Sequence, residues 1–100
     1  MPVIALFDLR VDPDRRADLD SVLRRILADT RAFAGNRGVR ITEEEGDPGH
    51  VVVVSEWDDV AANDAYLAWR AGDGAVHDLA PLLAAEPGGT RLLQTHRFGD

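Results

Sequence analysis

Hydrophobic and polar positions alternate from Val3 to Val11. Val3, Ala5, Phe7, Leu9 and Val11 fall on one side, and Ile4, Leu6, Asp8 and Arg10 on the other. Successive strand side chains point to opposite faces, so this spacing predicts a strand with one strongly apolar face. The period then changes. Asp12-Pro13 supplies an N-cap followed by proline at the first helical position, and Leu19, Val22, Leu23, Ile26 and Leu27 recur at helical spacing. The opposite side carries Asp14, Arg15, Arg16, Asp20, Arg24 and Arg25. This helix fades near Thr30, and Gly35 and Gly38 mark the loop beyond it.

Val39 to Glu45 predicts a second strand with Val39 and Ile41 inward. Gly46-Asp47-Pro48-Gly49 reads as a turn, and Val51 to Trp57 as a third strand that pairs back in a hairpin. Four consecutive valines make that strand apolar on both faces, and such a strand needs cover on both sides. Glu43, Glu44 and Glu45 solvate an edge; the other reading, an acidic metal site, suffers because neighbours on a strand point to alternate faces. Asp58 or Asp59 caps a second helix that carries Ala62, Ala65, Tyr66 and Trp69 on one face and breaks at Gly72 and Gly74. Val76, Leu79, Leu82 and Leu83 form a short helical stripe interrupted at Pro81. Thr90 to Phe98 is the last strand, with Leu92, Gln94, His96 and Phe98 on one face.

The order β-α-β-β-α-β is that of an α+β, ferredoxin-like split βαβ motif. Right-handed crossovers place the third and fourth strands on either side of the first, giving a four-stranded antiparallel sheet. Two helices cover one face. The other face, with half of the valines, is expected to press against a second copy of the chain, so the expected state is a homodimer.

Composition narrows the chemistry. One hundred residues, all expected in a single domain spanning 1–100, hold a small core. A net charge of −7 disfavours nucleic acid and anionic membranes, which call for a basic face. The N-terminal run is too short and too charged for a signal peptide, and no apolar run approaches a membrane span, so a cytoplasmic location is expected. Without cysteine there is no thiolate nucleophile or thiolate metal site. All 11 basic residues are arginines, and the lack of lysine removes Schiff-base and pyridoxal-phosphate chemistry. The histidines at 50, 77 and 96 fall on different elements, and no phosphate-binding glycine motif is present, so no metal and no organic cofactor are expected.

Several runs resemble one family. Thr30 to Ile41 (TRAFAGNRGVRI) has phenylalanine, a small residue and glycine before strand two. Val51 to Asp59 (VVVVSEWDD) ends strand three on Glu-Trp and an acidic cap. Ala65 to Arg70 (AYLAWR) and Leu79 to Pro87 (LAPLLAAEP) complete the likeness. Together they resemble the antibiotic biosynthesis monooxygenase family, within the dimeric α+β barrel superfamily. The resemblance implies a pocket between sheet and helices, and oxidation of an aromatic, polyketide-like phenol or anthrone by dioxygen without a cofactor. Such a substrate, once deprotonated, is electron-rich enough to reduce dioxygen itself. The protein then has to favour the anion, hold it and exclude water. A polyketide cyclase or isomerase, or a non-catalytic dimeric binding module, are the alternatives on the same fold.

Residue by residue, the resemblance carries over in part. The tryptophan closing strand three is Trp57. The asparagine that the quinone-forming branch places four positions earlier is Val53 here, a tyrosine six positions after the tryptophan falls on Asn63, and a late arginine falls near His77. The haem-degrading branch asks for an asparagine on strand one and a histidine ten residues after a tryptophan on helix two. Here strand one has no asparagine, and His77 follows Trp69 by eight. The expected catalytic set is therefore His77, Trp57 and Asn63, with Phe7, Tyr66, Trp69 and Leu82 lining a substrate pocket. His77 is the expected base, because an imidazole titrates near neutrality. Each has a structural alternative. Trp57, Tyr66 and Trp69 serve equally as core aromatics, and His77 as a solvated side chain. Asp8 is expected to pair with His96 or an arginine, and His50 to be solvated at a hairpin tip.

Overall fold

A computed structural model describes residues 1–99. Strand β1 (Val3–Arg10), helix α1 (Arg16–Ala32), strands β2 (Asn36–Glu44) and β3 (Asp47–Trp57), helix α2 (Val60–Arg70) and strand β4 (Gly88–Leu93) follow one another in the predicted order. The sheet runs β2-β3-β1-β4, and every neighbouring pair is antiparallel. This is the ferredoxin-like α+β arrangement.

Register decides which side chains meet the helices. Val3 pairs with Trp57 and Leu9 with Val51. The odd-numbered residues of both strands therefore share the helix-side face, and Val3, Leu9, Val51, Val53 and Trp57 are buried there. Leu19, Leu23 and Ile26 of the α1 stripe complete the core with Val11 and Leu79. Asp12 caps a 3-10 turn at Pro13–Arg15 that leads into α1, its side chain accepting the Asp14 N–H. Asp59 caps α2 by accepting from the Ala62 N–H at 2.8 Å; removing this cap in Asp59→Ala should lower stability by about 1 kcal/mol in a urea titration. Between the helices, Gly35 takes a φ of 86°, and a Cβ there would lie 2.5 Å from that of Ala62. Only glycine lets the loop after α1 run this close to α2.

Four elements differ from expectation. Strand β2 begins at Asn36 and not at Val39, with a register shift between Asn36 and Gly38 that takes Gly38 into the strand. The hairpin turn is Glu45-Gly46, with Gly46 at φ 82°, and β3 already begins at Asp47 because a register shift at Glu43/Glu44 lets the pairing continue. The Val76–Leu83 stripe is not a helix. Its chain makes one 3-10 turn at Ala80–Leu82, while Leu79 is buried and Leu83 bridges to Val11, so the leucines pin a loop onto the core. The last strand is Gly88–Leu93 and not Thr90–Phe98. Its partner β1 ends at Val3, opposite Leu93; Gln94 N–H reaches the Pro2 carbonyl at 2.9 Å, and Phe98 beyond it is 95% exposed.

The face away from the helices carries Ile4, Leu6, Val52 and Val54, each partly exposed, with Leu92 beside them on β4. The valine run is thus buried at Val51 and Val53 and half open at Val52 and Val54. At one end of this face lies a cluster that corrects two expectations. His50 sits within β3, and its Nε2 is 3.0 Å from Asp8 while its Nδ1 is 2.7 Å from Glu44. Asp8 therefore pairs with His50, which the β1–β3 register brings next to it, and not with His96, which lies past the end of β4. The Asp8 carboxylate, followed by that of Glu44, raises the His50 imidazole above its ordinary value. Stability from the charged imidazole is full below about pH 6.5 and is lost as pH rises through the raised value. Wild type should lose denaturant resistance on alkalinisation through that window, and His50→Gln should lack that slope.

Among the described residues no helix is long and apolar enough to cross a membrane.

Candidate functional site

A cavity of about 660 Å³ opens between the helix-side face of the sheet and both helices. Ala5, Phe7, Val53, Ser55 and Gly89 form its floor, Leu23, Ile26, Leu27 and Thr30 of α1 one wall, and Asn63, Tyr66, Leu67 and Arg70 of α2 the other. Val76 and Leu79 close one end. The lining is mostly apolar, so each polar group in it has a traceable role.

The main polar group is a three-residue cluster. Thr30 Oγ1 and Tyr66 Oη lie 2.7 Å apart. Arg70 Nε–H donates to Tyr66 Oη at 2.8 Å, and Arg70 Nη2–H donates to Thr30 Oγ1 at 3.0 Å and to the Ile26 carbonyl at 2.8 Å. The guanidinium also donates to the Gly74 carbonyl and packs 4.6 Å from the Trp69 ring centroid. Local sequence accounts for this assembly. Tyr66 and Arg70 are four apart on α2, as are Ile26 and Thr30 on α1, so each pair shares a helix face.

The hydroxyl protons in this cluster can rearrange. In one arrangement Tyr66 donates to Thr30, and Thr30 donates to the Ile26 carbonyl, a contact of 3.4 Å. In the other, Thr30 donates to Tyr66, and the phenolic proton turns into the cavity. The Ile26 carbonyl keeps its bond from Arg70 in both, so turning Tyr66 toward a ligand strands no buried group.

Behind this wall four rings pack together. Phe33 lies 6.2 Å from Trp57, 5.4 Å from Tyr66 and 5.6 Å from Trp69 by ring centroids, and Trp57 lies 4.8 Å from Tyr66. Trp57 is fully buried and donates its indole N–H to Ser55 Oγ at 2.9 Å. At the rim, Arg91 of β4 reaches across to α2, with Nη1 2.5 Å from Asp64 and 3.4 Å from Asn63 Oδ1.

The expected site residues thus separate. Phe7, Asn63 and Tyr66 line the cavity. Trp57 stands one hydrogen bond behind it, because its ring fills the corner where β3 meets α2. Leu82 sits in the 3-10 turn and lines neither this cavity nor the next. Trp69 and His77 line a second, more open cavity of about 530 Å³, along with Arg25, Asp73 and Asp78. There Arg25 beside Asp78 holds that carboxyl below its usual range. The cause is the chain reversal after α2. Gly74 packs against the Trp69 indole so tightly that a Cβ would lie 2.3 Å from it, and the turn carries exposed His77 to the far side of Arg70. Arg70, Ile26 and Val76 are the wall common to both cavities. Sequence reasoning missed Thr30, Arg70, Ser55 and Arg91; the i, i+4 spacing from Ile26 and from Tyr66 was the signal for the first two.

The sequence profile described as antibiotic biosynthesis monooxygenase matches residues 2–77. Among curated proteins none matches the chain. Solved structures do. Rv0793 of Mycobacterium tuberculosis is 25% identical with a TM-score of 0.75, over 99% of this chain and all 100% of that one. A Deinococcus radiodurans protein assigned to the antibiotic biosynthesis monooxygenases is 23% identical with a TM-score of 0.83, over 98% and 97% of the two chains. A conserved protein of Methanosarcina mazei superposes at a TM-score of 0.81 with 14% identity, over 92% and 91%. The last two likenesses concern the fold.

Proposed function

The chain belongs to the antibiotic biosynthesis monooxygenase family, and on that premise we propose that it is a monooxygenase oxidising a small aromatic phenol or anthrone with dioxygen, without an added cofactor. The observation that carries this reading is the pairing of a largely apolar cavity with the Thr30–Tyr66–Arg70 cluster on its wall. The apolar floor accepts a flat ring system. Tyr66, backed by the guanidinium, offers a donor to an ionised phenol oxygen, and a donor already in place stabilises such charge at little reorganisation cost. The substrate carbanion adds dioxygen to form its own peroxide. That peroxide takes up a proton and loses water, so CH₂ plus O₂ becomes C=O plus H₂O, and all four electrons come from the substrate.

The proposal keeps Asn63 and Phe7 as cavity contacts and gives the polar role at the anion to Tyr66 and Arg70 in place of His77. It also includes a homodimer formed through Ile4, Leu6, Val52, Val54 and Leu92, whose partly exposed apolar surface supports a second copy there. Sedimentation at micromolar concentration should give twice the chain mass.

The activity is tested by oxygen uptake and ¹⁸O incorporation across a panel of hydroxyanthrones. Gly89 supplies the control. It lines the cavity opposite Phe7, its φ is not positive, and a Cβ there meets nothing within 4 Å. Gly89→Leu should fold normally and lower kcat/KM for a tricyclic anthrone on the order of tenfold or more, by filling the cavity. Absence of turnover across the panel would favour the binding-module reading.

A further inference from the structure

Two buried donors on the cavity wall are left without acceptors among the described residues. Trp57 has only an N–H to give, and it gives it to Ser55 Oγ. That bond uses a serine lone pair and leaves the serine proton uncommitted; among the described residues nothing accepts it. Ser55 is only 9% exposed, and what exposure it has lies on the cavity. Asn63, 2% exposed, repeats the pattern. Its Oδ1 accepts from Arg91, and its amide N–H₂ has no acceptor among the described residues. Asp64, the one carboxylate on the lining, is engaged by Arg91 at 2.5 Å.

We propose that Ser55 and Asn63 are substrate-contacting donors, that Trp57 is the positioning residue that directs the Ser55 hydroxyl into the cavity, and that the site selects ligands presenting acceptor oxygens. This deepens the oxygenase reading and rests on the same cavity. A buried donor left without an acceptor is penalised, and a ligand donor that meets another donor is penalised again. A flat molecule with ionised phenol and carbonyl oxygens satisfies Ser55, Asn63 and Tyr66 together. The amino analogue of the same shape presents N–H groups there and leaves the Ser55 and Asn63 protons without acceptors. The site therefore favours an aromatic that presents acceptor oxygens to Ser55 and Asn63.

Binding of two dyes of equal shape tests this without turnover. A hydroxyanthraquinone changes colour on ionisation; an aminoanthraquinone is its mismatched counterpart. The hydroxy dye should bind at least about tenfold more tightly and ionise at lower pH when bound than when free. Ser55→Ala and Asn63→Leu should each weaken it about tenfold and move the bound dye's ionisation back toward the free value. Ser55→Thr, which keeps the hydroxyl on a good strand former, should restore both. Trp57→Phe, which frees Ser55 to turn away, should fall between Ser55→Ala and wild type. Equal affinity for the two dyes, no binding of either, or an unchanged ionisation in Ser55→Ala would overturn the proposal. Oxidation of anthrones with no dye selectivity would overturn it and leave the activity standing; dye selectivity without oxidation would do the reverse.

Discussion

Tyr66→Phe should lower turnover of a hydroxyanthrone by a factor on the order of 10²–10³, the usual loss when one preorganised donor to a developing oxyanion is removed. The ring stays in place between Phe33 and Trp57, so packing changes little. Thr30 and Arg70 keep their own bond, and the stability loss should be about 1 kcal/mol, the net worth of one hydrogen bond. Steady-state kinetics should show the loss in kcat with KM changed much less, because the phenolic proton matters most when charge has built up on the substrate. The contrasting variant is His77→Ala. His77 lies across the Arg70 wall in the outer cavity, and its removal should leave turnover within about twofold of wild type. A collapse of turnover in His77→Ala with normal activity in Tyr66→Phe would reverse the two assignments.

Trp57→Ala should give the largest stability loss of any single truncation in the chain, about 3–5 kcal/mol in a denaturant titration. Its side chain is wholly buried and contacts both Phe33 and Tyr66. It also sits opposite Val3 on β1 and Asn36 on β2, so one ring ties the sheet to α2 at Tyr66. The cavity left behind would adjoin the existing one, and Tyr66 would lose its backing. For a chain of this size such a loss is a large part of the total. Trp57→Phe should lose less, since most of the apolar ring remains. A Trp57→Ala loss under 1 kcal/mol would mean that the aromatic group is not part of the core.

The fold was largely legible because period and punctuation agreed. β1, α1 and the β2–β3 pair announce themselves through alternation, a helical stripe and a glycine turn. The errors come from tertiary terms. The Val76–Leu83 stripe has helical spacing, yet its leucines are held by strands that sequence distance hides. The length of β4 depends on where β1 stops, and nothing within residues 90–98 records that. The lining of the inner cavity was half legible. Phe7, Asn63 and Tyr66 follow from strand parity and the position of α2 after Trp57. His77 lies in the outer cavity because the chain reverses over Gly74, and chain distance from Trp69 is blind to direction. Ser55 reads from the sequence as a strand end, although a serine two before a buried tryptophan is on the same strand face and within reach of its indole.

The place of β1 in the sheet also governs the order in which the chain can fold. The first strand lies second from one edge, and its two partners lie in the middle and at the end of the chain. Val3 waits for Trp57 on one side and Leu93 on the other, whereas β2 and β3 close on each other across two residues. A nascent chain leaving the ribosome can therefore form α1 and the hairpin early and add β1 to β3 once Trp57 has emerged, while the other edge of β1 stays open until β4 appears. Long closures of this kind slow folding and prolong exposure of sticky edges. Expression yield should for that reason respond more to translation rate and chaperone supply than the modest size of the chain suggests.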